Sequence, residues 1–122
     1  MSDKTKVLIV DDSSIIRKII QKSIVQDNLE IVGIAGDGLE ALKLFKEKSP
    51  DLVTLDITMP EMDGLSVLDE MIKQKPETKV IVISALSDKA TGIQAIKKGA
   101  KSFIPKPFTT EDVQNAIHKL AK

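Results

Sequence analysis

Residues 7–24 read VLIVDDSSIIRKIIQKSI and join a continuous apolar run to a longer amphipathic stretch. The run from Val7 to Val10 is mostly β-branched, which is typical of a strand covered on both faces. The stretch after it places isoleucines on one face at helical spacing. These are Ile15, Ile16, Ile19, Ile20 and Ile24. The segment therefore predicts a strand followed by a helix that packs on the sheet.

The same alternation continues along the chain. Four more apolar runs follow, at positions 31–35, 52–55, 80–83 and 103–104, and amphipathic stretches separate them. Strands that alternate with helices in this way predict an α/β fold with a parallel sheet and helices on both faces. The 122 residues suit one domain, so we expect residues 1–122 to form it without an output domain.

Several helix boundaries can be predicted from capping residues. Asp37 is placed to cap the second helix, and Thr109 with Asp112 is close to a capping box at the start of the fifth. For the fourth helix the pattern predicts a start near Ser87, a stop at Gly99 and one buried apolar face. The residues expected on that face are Ala90, Ile93 and Ile96.

The composition excludes several classes of function. The 18 basic and 18 acidic side chains give a net charge of zero, which argues against nucleic-acid binding. With no cysteine and one histidine, His118, the chain can form neither disulfides nor a cysteine or two-histidine metal site. Its three aromatic residues are too few for flavin or base stacking. The start of the chain lacks an apolar signal segment and no run could span a membrane, so we expect a cytoplasmic protein.

Polar side chains follow several predicted strands at their carboxyl ends. They are Asp11 and Asp12 after the first strand, Asp56 after the third, Ser84 after the fourth and Lys106 after the fifth. Open α/β sheets bind ligands beyond this edge, so we expect these groups to converge there. Packed carboxylates repel one another, and Mg²⁺ relieves that repulsion with the oxygen ligands it prefers. The pattern predicts a Mg²⁺ site that attracts a phosphoryl group, with a carboxylate as a candidate acceptor.

Each of these residues also has a structural interpretation. Asp11 and Asp12 are suited to cap the first helix, where the helix dipole favours negative charge. Asp56 and Lys106 fit solvated loop positions, and Ser84 fits a turn. Each signal is weak by itself, but such residues at the ends of four strands are much less expected by chance.

Four segments resemble the receiver domain of bacterial two-component response regulators, and the resemblance covers essentially the whole chain. Residues 7–12 (VLIVDD) resemble the family's acidic pair, and residues 56–64 (DITMPEMDG) resemble its phospho-acceptor strand and loop. Residues 83–85 (ISA) resemble its hydroxyl position, and residues 99–108 (GAKSFIPKPF) its lysine–proline signature. The resemblance implies a doubly wound, flavodoxin-like (βα)5 fold with the strand order 2-1-3-4-5 that chemotaxis members of the family are known for.

The resemblance also implies a role for each residue of the site. Asp56 would accept a phosphoryl group from a histidine kinase, and Ser84 and Lys106 would bind the phosphoryl oxygens. The implied Mg²⁺ ligands are Asp11, Asp12, Asp56 and the backbone carbonyl of Thr58. Phe103 would be the switch aromatic that turns inward as Ser84 moves toward the phosphate. The bond between Lys106 and Pro107 would be cis.

The implied function is that of a stand-alone response regulator that switches its affinity for a downstream partner. Residues 57–64 (ITMPEMDG) look most like those of chemotaxis regulators, so the expected partner is the flagellar motor switch. The fourth helix, fifth strand and fifth helix would make that contact. We expect a monomer that catalyses only its own phosphorylation and dephosphorylation. The alternative within the family is a phosphorelay intermediate that passes phosphate to a histidine phosphotransfer protein.

Two other classes of protein fit the sequence less well. Asp56 and Thr58 superficially match the nucleophile motif of small aspartyl-phosphate phosphatases of the haloacid dehalogenase type. In that class, however, a second acid is usual at the position of Thr58, and the nucleophile normally follows the first strand of the core. A flavodoxin would need a loop rich in serine and threonine after the first strand, whereas residues 12–15 read DSSI.

Overall fold

Strands and helices alternate along the chain in a computed structural model that describes residues 4–24, 28–57, 63–85 and 89–120. The strands are β1 (Thr5–Val10), β2 (Leu29–Ala35), β3 (Leu52–Asp56), β4 (Lys79–Ala85) and β5 (Ser102–Lys106). The helices are α1 (Ser14–Ser23), α2 (Gly38–Lys48), α3 (Gly64–Gln74), α4 (Lys89–Lys97) and α5 (Thr110–Leu120). This order confirms the predicted succession of strand and helix.

The strands form one parallel sheet in the order β2-β1-β3-β4-β5. The α/β class is confirmed, and so is the strand order that the resemblance implies. The chain changes its direction of winding beside β1, and open α/β sheets bind ligands in the crevice at such a point. Asp11 directly follows β1, and Asp56 is the last residue of β3, the strand next to it. The topology therefore brings these two acids to the same crevice.

Two apolar layers cover the two faces of the sheet. One contains buried residues of α2, α3 and α4, including Phe45, Leu68 and Ala95. The other contains buried residues of α1 and α5, including Ile20 and Ile117. Because helices cover both faces, every residue of β3 is buried, as expected for a continuous apolar run. None of the helices in the described ranges is long and apolar enough to cross a membrane.

Side-chain caps begin α2 and α5 where the sequence predicts them. Asp37 accepts a hydrogen bond from the N–H of Glu40 at 2.8 Å. The N–H of Asp112 donates to Thr109 Oγ1 at 3.1 Å, and the N–H of Thr109 donates to Asp112 Oδ2 at 2.9 Å. This reciprocal pair is a capping box, in which each side chain satisfies a backbone donor that the helix leaves unpaired.

The cap of α1 is Ser13, whose side chain accepts a hydrogen bond from the N–H of Ile16. The interpretation of Asp11 and Asp12 as caps of this helix is therefore wrong. Because a neutral hydroxyl performs that task, the two carboxylates are left at the carboxyl edge of the sheet.

The buried faces of α4 and of the start of α1 differ from the prediction. Ile93 and Ile96 are 58% and 46% exposed, and Ala90 is also exposed. Ile15, which was expected to face the sheet, is 70% exposed. The predicted start of the fourth helix near Ser87 lies outside the described residues.

Small residues form the buried face of α4. Gly92 and Ala95, three positions apart, are buried. A Cβ atom added at Gly92 would lie 2.9 Å from Cε1 of Phe103, a distance that side chains essentially never show. The ring of Phe103 therefore lies directly against the helix backbone, and the close approach leaves the larger isoleucines on the outer face.

The two edge strands of the sheet are each interrupted. In the pairing of β1 with β2, Val7 lies opposite Ile31 but Leu8 lies opposite Gly33, so β2 carries one extra residue. β5 contains Pro105, whose nitrogen carries no hydrogen to donate. Both edges of the sheet thus contain a break in the regular row of backbone groups.

Candidate functional site

Three carboxylates meet at the carboxyl edge of the sheet. Asp11, Asp12 and Asp56 each offer an oxygen, and these oxygens all lie within 4.8 Å of one another. Asp11 and Asp56 are buried, whereas Asp12 is exposed. The acids therefore form a small cluster that solvent reaches on the side of Asp12.

Lys106, the last residue of β5, brings an ammonium group to this cluster. Its Nζ lies 3.0 Å from Asp56 Oδ2 and 3.8 Å from Asp11 Oδ2. One positive charge compensates the three carboxylates only in part, and the remaining repulsion opposes full ionisation. The site consequently favours an additional cation.

Asp11 is held by its backbone and by one of its carboxylate oxygens. Its N–H donates to the carbonyl of Ala35 at 3.0 Å, and its Oδ1 accepts from the N–H of Ser13 at 2.9 Å. Its Oδ2 is buried and has no hydrogen-bond partner among the described residues. A buried acceptor without a partner is costly, so this oxygen is well placed to bind a ligand.

Burial raises the pKa of Asp11 from 3.8 to about 6, and the neighbouring carboxylates of Asp56 and Asp12 add to the rise. The hydrogen bond from Ser13 and the positive charge of Lys106 lower the pKa and limit that rise. Burial is thus the main cause of the shift, and repulsion from the two neighbouring carboxylates adds to it; both disfavour the ionised form of Asp11, which a bound cation would stabilise.

The donor set fits the divalent cation that the sequence predicts. Carboxylate oxygens are the hard ligands that Mg²⁺ prefers, and the buried Oδ2 of Asp11 lacks any other hydrogen-bonding partner in the described part of the chain. Asp11, Asp12 and Asp56 are the residues that would hold it. Thr58, whose backbone carbonyl is the fourth predicted ligand, lies outside the described residues.

Ser84 is on the strand next to Asp56. Asp56 lies opposite Ile83 of β4, and Ser84 is the residue after it. Ser84 is fully buried, and its Oγ has no hydrogen-bond partner within the described ranges. A hydroxyl in this condition would gain from an acceptor oxygen brought by a ligand.

Phe103 and Pro107 lie on the β5 side of the site. Phe103 is opposite Val82 in the sheet, is partly buried and has its ring against Gly92. The peptide bond between Lys106 and Pro107 is cis. Of the predicted site residues in the described ranges, Asp11, Asp12, Asp56 and Lys106 are thus brought together, with Ser84 on the adjoining strand. Phe103 instead contacts the helix that covers the sheet.

Arg17 of α1 is a residue of the site that the sequence analysis missed. Its Nη1 donates a hydrogen bond to the backbone carbonyl of Asp11 at 2.9 Å. An arginine six residues after an acid carries no recognisable signal, because the contact depends on how the chain turns from β1 into α1. The repeated helical spacing could have placed Arg17 in the second turn of α1, but not its contact.

Comparison with known proteins shows similarity along nearly the whole chain. A model of the response regulator receiver domain matches residues 7–118. The chemotaxis protein CheY of Listeria monocytogenes is 48% identical over 117 residues, which cover 96% of this chain and 98% of that relative. The chemotaxis protein CheY of Bacillus subtilis is 44% identical over 114 residues, covering 93% and 95% of the two chains.

Solved structures share the fold over nearly the whole chain. The REC domain of AraT, a response regulator from Geobacillus stearothermophilus, has a TM-score of 0.89 at 33% identity, covering 98% of this chain and 93% of that one. A CheY-like receiver domain protein from Methanospirillum hungatei has a TM-score of 0.87 at 26% identity, covering 98% and 95%. The chain therefore belongs to the response regulator receiver domain family of two-component systems, and it is CheY-like within that family.

Proposed function

We propose that this protein is a stand-alone response regulator whose Asp56 accepts a phosphoryl group from a histidine kinase in a Mg²⁺-dependent reaction. The observation that carries the proposal is the contact of 3.0 Å between Lys106 Nζ and Asp56 Oδ2 inside the cluster of three carboxylates. An acid at the end of a buried strand, beside a cation and two further acids, suits phosphoryl transfer.

The transfer needs few covalent changes. The bond between phosphorus and the imidazole nitrogen of a phosphohistidine breaks, and a bond from phosphorus to an Asp56 carboxylate oxygen forms. The bonding pair leaves with the imidazole, which departs neutral when its other nitrogen is protonated. Lys106 and the Ser84 hydroxyl would donate hydrogen bonds to the phosphoryl oxygens. A bound Mg²⁺ would supply charge neutralisation for these oxygens.

Asp56 is a better acceptor than either neighbouring acid. Asp11 already uses Oδ1 for the N–H of Ser13, and burial raises its pKa to about 6, which disfavours its ionised, nucleophilic form. Asp12 is exposed to water, where an acyl phosphate would be accessible to hydrolysis. Asp56 is buried beside the ammonium that would bind the transferred group.

The output that we propose is binding to the flagellar motor switch through α4, β5 and α5. The similarity to chemotaxis proteins supports this partner. Ile93 and Ile96 give that face exposed apolar area, and Phe103 lies beneath it against Gly92. A phosphoryl group adds about 1.5 to 2 negative charges near Ser84 and Lys106, and this charge is the input that would alter the face. A cytoplasmic monomer without other catalytic activity is part of the proposal.

A phosphorelay intermediate is the second candidate function. Ile15 is 70% exposed at the start of α1, close to the acidic turn, and offers an apolar contact for a phosphotransfer partner. The two functions differ in the fate of the phosphate. Passage of label from Asp56 to a histidine phosphotransfer protein would favour the intermediate, and tighter binding to the motor switch after phosphorylation would favour the chemotaxis function.

The first experiment is to incubate the protein with acetyl phosphate and to record its intact mass, with and without Mg²⁺. We expect a phosphate adduct that requires Mg²⁺ and is absent from Asp56→Asn. Asp69→Asn, which changes a half-exposed acid of α3, is the matched control and should be modified like the wild type. An adduct on Asp56→Asn, or its complete absence from the wild type with any small phosphodonor, would contradict the proposal. Multiple turnover of an added phosphomonoester would favour a phosphatase instead.

A further inference from the structure

We infer that Arg17 is a positioning residue of the acidic turn, which fixes the peptide group between Asp11 and Asp12 and thereby holds the Asp12 carboxylate at the metal site. The inference rests on the proposed Mg²⁺-dependent function. It assigns to α1 a direct part in preparing the site, in addition to its packing on the sheet.

The contact that carries the inference joins a charged donor to a neutral backbone acceptor. Arg17 Nη1 lies 2.9 Å from the carbonyl oxygen of Asp11, and the residue is partly buried. Within the described ranges, no carboxylate lies within 4.0 Å of the guanidinium, so its hydrogen bond goes to the turn and not to an acid. Hydrogen bonds from charged donors are shorter and roughly twice as strong as neutral ones.

Arg17 is itself held in place by the helix it belongs to. Its N–H donates to the carbonyl of Ser13, the N-cap of α1, at 3.0 Å. The guanidinium therefore reaches back from a rigid helical turn to the end of β1. The loop between β1 and α1 is closed by this contact on one side and by the hydrogen bond from Ser13 to Asp11 Oδ1 on the other.

The position of the Asp12 carboxylate depends on these two hydrogen bonds of the loop between β1 and α1. Asp11 is buried and anchored through its own N–H and Oδ1, whereas Asp12 is exposed and shows no hydrogen bond or ion pair among the described residues. The direction in which the Asp12 side chain starts is set by the peptide group before it. The oxygen of that peptide group is the atom that Arg17 binds.

Gly36, which follows β2, lies close to the same guanidinium and so offers a second way to perturb this contact. A Cβ added at Gly36 would lie 3.3 Å from Arg17 Nη1, and no other atom of the described structure would be among its close neighbours. Its N–H is fixed by Glu40 Oε1 at 2.9 Å, so this backbone does not move away easily. Gly36→Ala therefore displaces the guanidinium slightly without touching the acids.

The test is the dissociation constant for Mg²⁺, measured by calorimetric titration of the unphosphorylated protein. Arg17→Met should raise it about tenfold, the lower end of the effect of outer residues that orient metal ligands. Arg17→Lys, which keeps a charged donor, should recover most of the affinity. Gly36→Ala should raise the constant about threefold, a smaller effect because it displaces the same contact without removing it. Lys18→Met removes an exposed charge from the same helix and should leave affinity unchanged.

Two further comparisons separate positioning from a purely structural role. In the Arg17→Met background, Gly36→Ala should cause no additional loss, because both changes act on one contact. For Arg17→Met alone, the initial rate of phosphorylation by acetyl phosphate should lie below the wild-type rate at low Mg²⁺. It should return nearly to the wild-type rate at saturating Mg²⁺.

The inference is overturned if folded Arg17→Met binds Mg²⁺ like the wild type, or if Lys18→Met weakens binding equally. Should Arg17→Met fail to fold, Gly36→Ala decides, and unchanged affinity in that variant overturns the inference. A wild-type protein that does not bind Mg²⁺ would instead reject the proposed function itself, and with it any role for Arg17 in positioning metal ligands.

Discussion

At the residue scale, the site is built from groups whose hydrogen bonds or charges are incomplete. Asp11 Oδ2 and Ser84 Oγ are buried without hydrogen-bond partners in the described part of the chain. Lys106 is shared between two carboxylates. Buried polar groups are normally satisfied, so such a concentration of unsatisfied atoms at one sheet edge is typical of a ligand site. It also makes the free protein less stable than its packing would allow.

Asp11 gives the metal-free protein a distinctive dependence of stability on pH. Its pKa is raised from 3.8 to about 6 by folding, so the folded protein binds this proton more tightly than the unfolded chain does. The stabilisation that protonated Asp11 contributes to the free energy of unfolding is therefore complete below about pH 4. It is lost as the pH rises to about 6. A shift of about two units corresponds to at most about 3 kcal/mol. Denaturant unfolding between about pH 4 and pH 7, without divalent ions, measures it.

Asp11→Asn is the matched variant, because the amide keeps the shape and cannot ionise. We expect the wild type to lose stability relative to this variant as the pH rises through that range, and Asp11→Asn to be the more stable protein at pH 7. A difference between the two proteins that stays constant over the same range would contradict the prediction.

Ser84 and Thr54 form a natural pair for testing the unsatisfied hydroxyl. Both are fully buried, and neither side-chain oxygen has a hydrogen-bond partner in the described ranges. Removing such a hydroxyl should be neutral or stabilising by about 1 kcal/mol, since an unpartnered buried group carries a desolvation penalty. Chemical denaturation of Ser84→Ala and Thr54→Val measures this effect.

Phosphorylation should distinguish these two variants. Ser84→Ala should slow phosphorylation by acetyl phosphate, because the hydroxyl is expected to bind a phosphoryl oxygen, whereas Thr54→Val should keep the wild-type rate. Equal rates for Ser84→Ala and the wild type would remove Ser84 from the proposed site.

At the scale of elements, α4 is defined by its contact with Phe103 and not by its most apolar residues. Alanine at position 92 would favour the helix by about 1 kcal/mol over glycine. Its Cβ, however, would lie 2.9 Å from Cε1 and 3.0 Å from Cδ1 of the ring. Overpacking of this kind costs about 1 to 3 kcal/mol. We therefore expect Gly92→Ala to lower the free energy of unfolding by about 1 kcal/mol in denaturant unfolding.

A double-mutant cycle shows whether the ring is the cause. In a Phe103→Ala background the ring atoms that would meet the added Cβ are absent, so Gly92→Ala should become neutral or stabilising through helix propensity alone. The same cost of Gly92→Ala with and without the ring would show that another neighbour is responsible.

The spacing of apolar residues predicted the order of the elements but not the buried face of every helix. The alternation of apolar runs and amphipathic stretches predicted every strand and helix in order, and the capping residues predicted the starts of α2 and α5. The buried face of α4 was predicted incorrectly because spacing ranks side chains by apolarity. The spacing contains no information about how closely a helix approaches an aromatic ring. Here the close approach of α4 to Phe103 places Gly92 and Ala95, and not the isoleucines, on the buried face.

At the scale of the whole molecule, the parallel sheet explains why the acids could be predicted together. Residues that end neighbouring parallel strands must share an edge, so Asp11 and Asp56 followed from the strand pattern once the order was known. The contact between Arg17 and Asp11 did not, because it depends on the path of a loop and on the absence of a side chain at Gly36. The shared edge of the two acids was predictable because topology sets it, and the contact of Arg17 was not because the path of one loop sets it.

The interruptions at the two edges of the sheet affect how the molecule behaves when it is concentrated. An open edge strand is a template on which a strand of another chain can assemble, and this is a common route to aggregation. In β2 the extra residue shifts the register, and in β5 Pro105 removes a donor from the row. A strand laid along either edge would meet a gap in its hydrogen bonds, so intermolecular growth of the sheet is disfavoured at both ends.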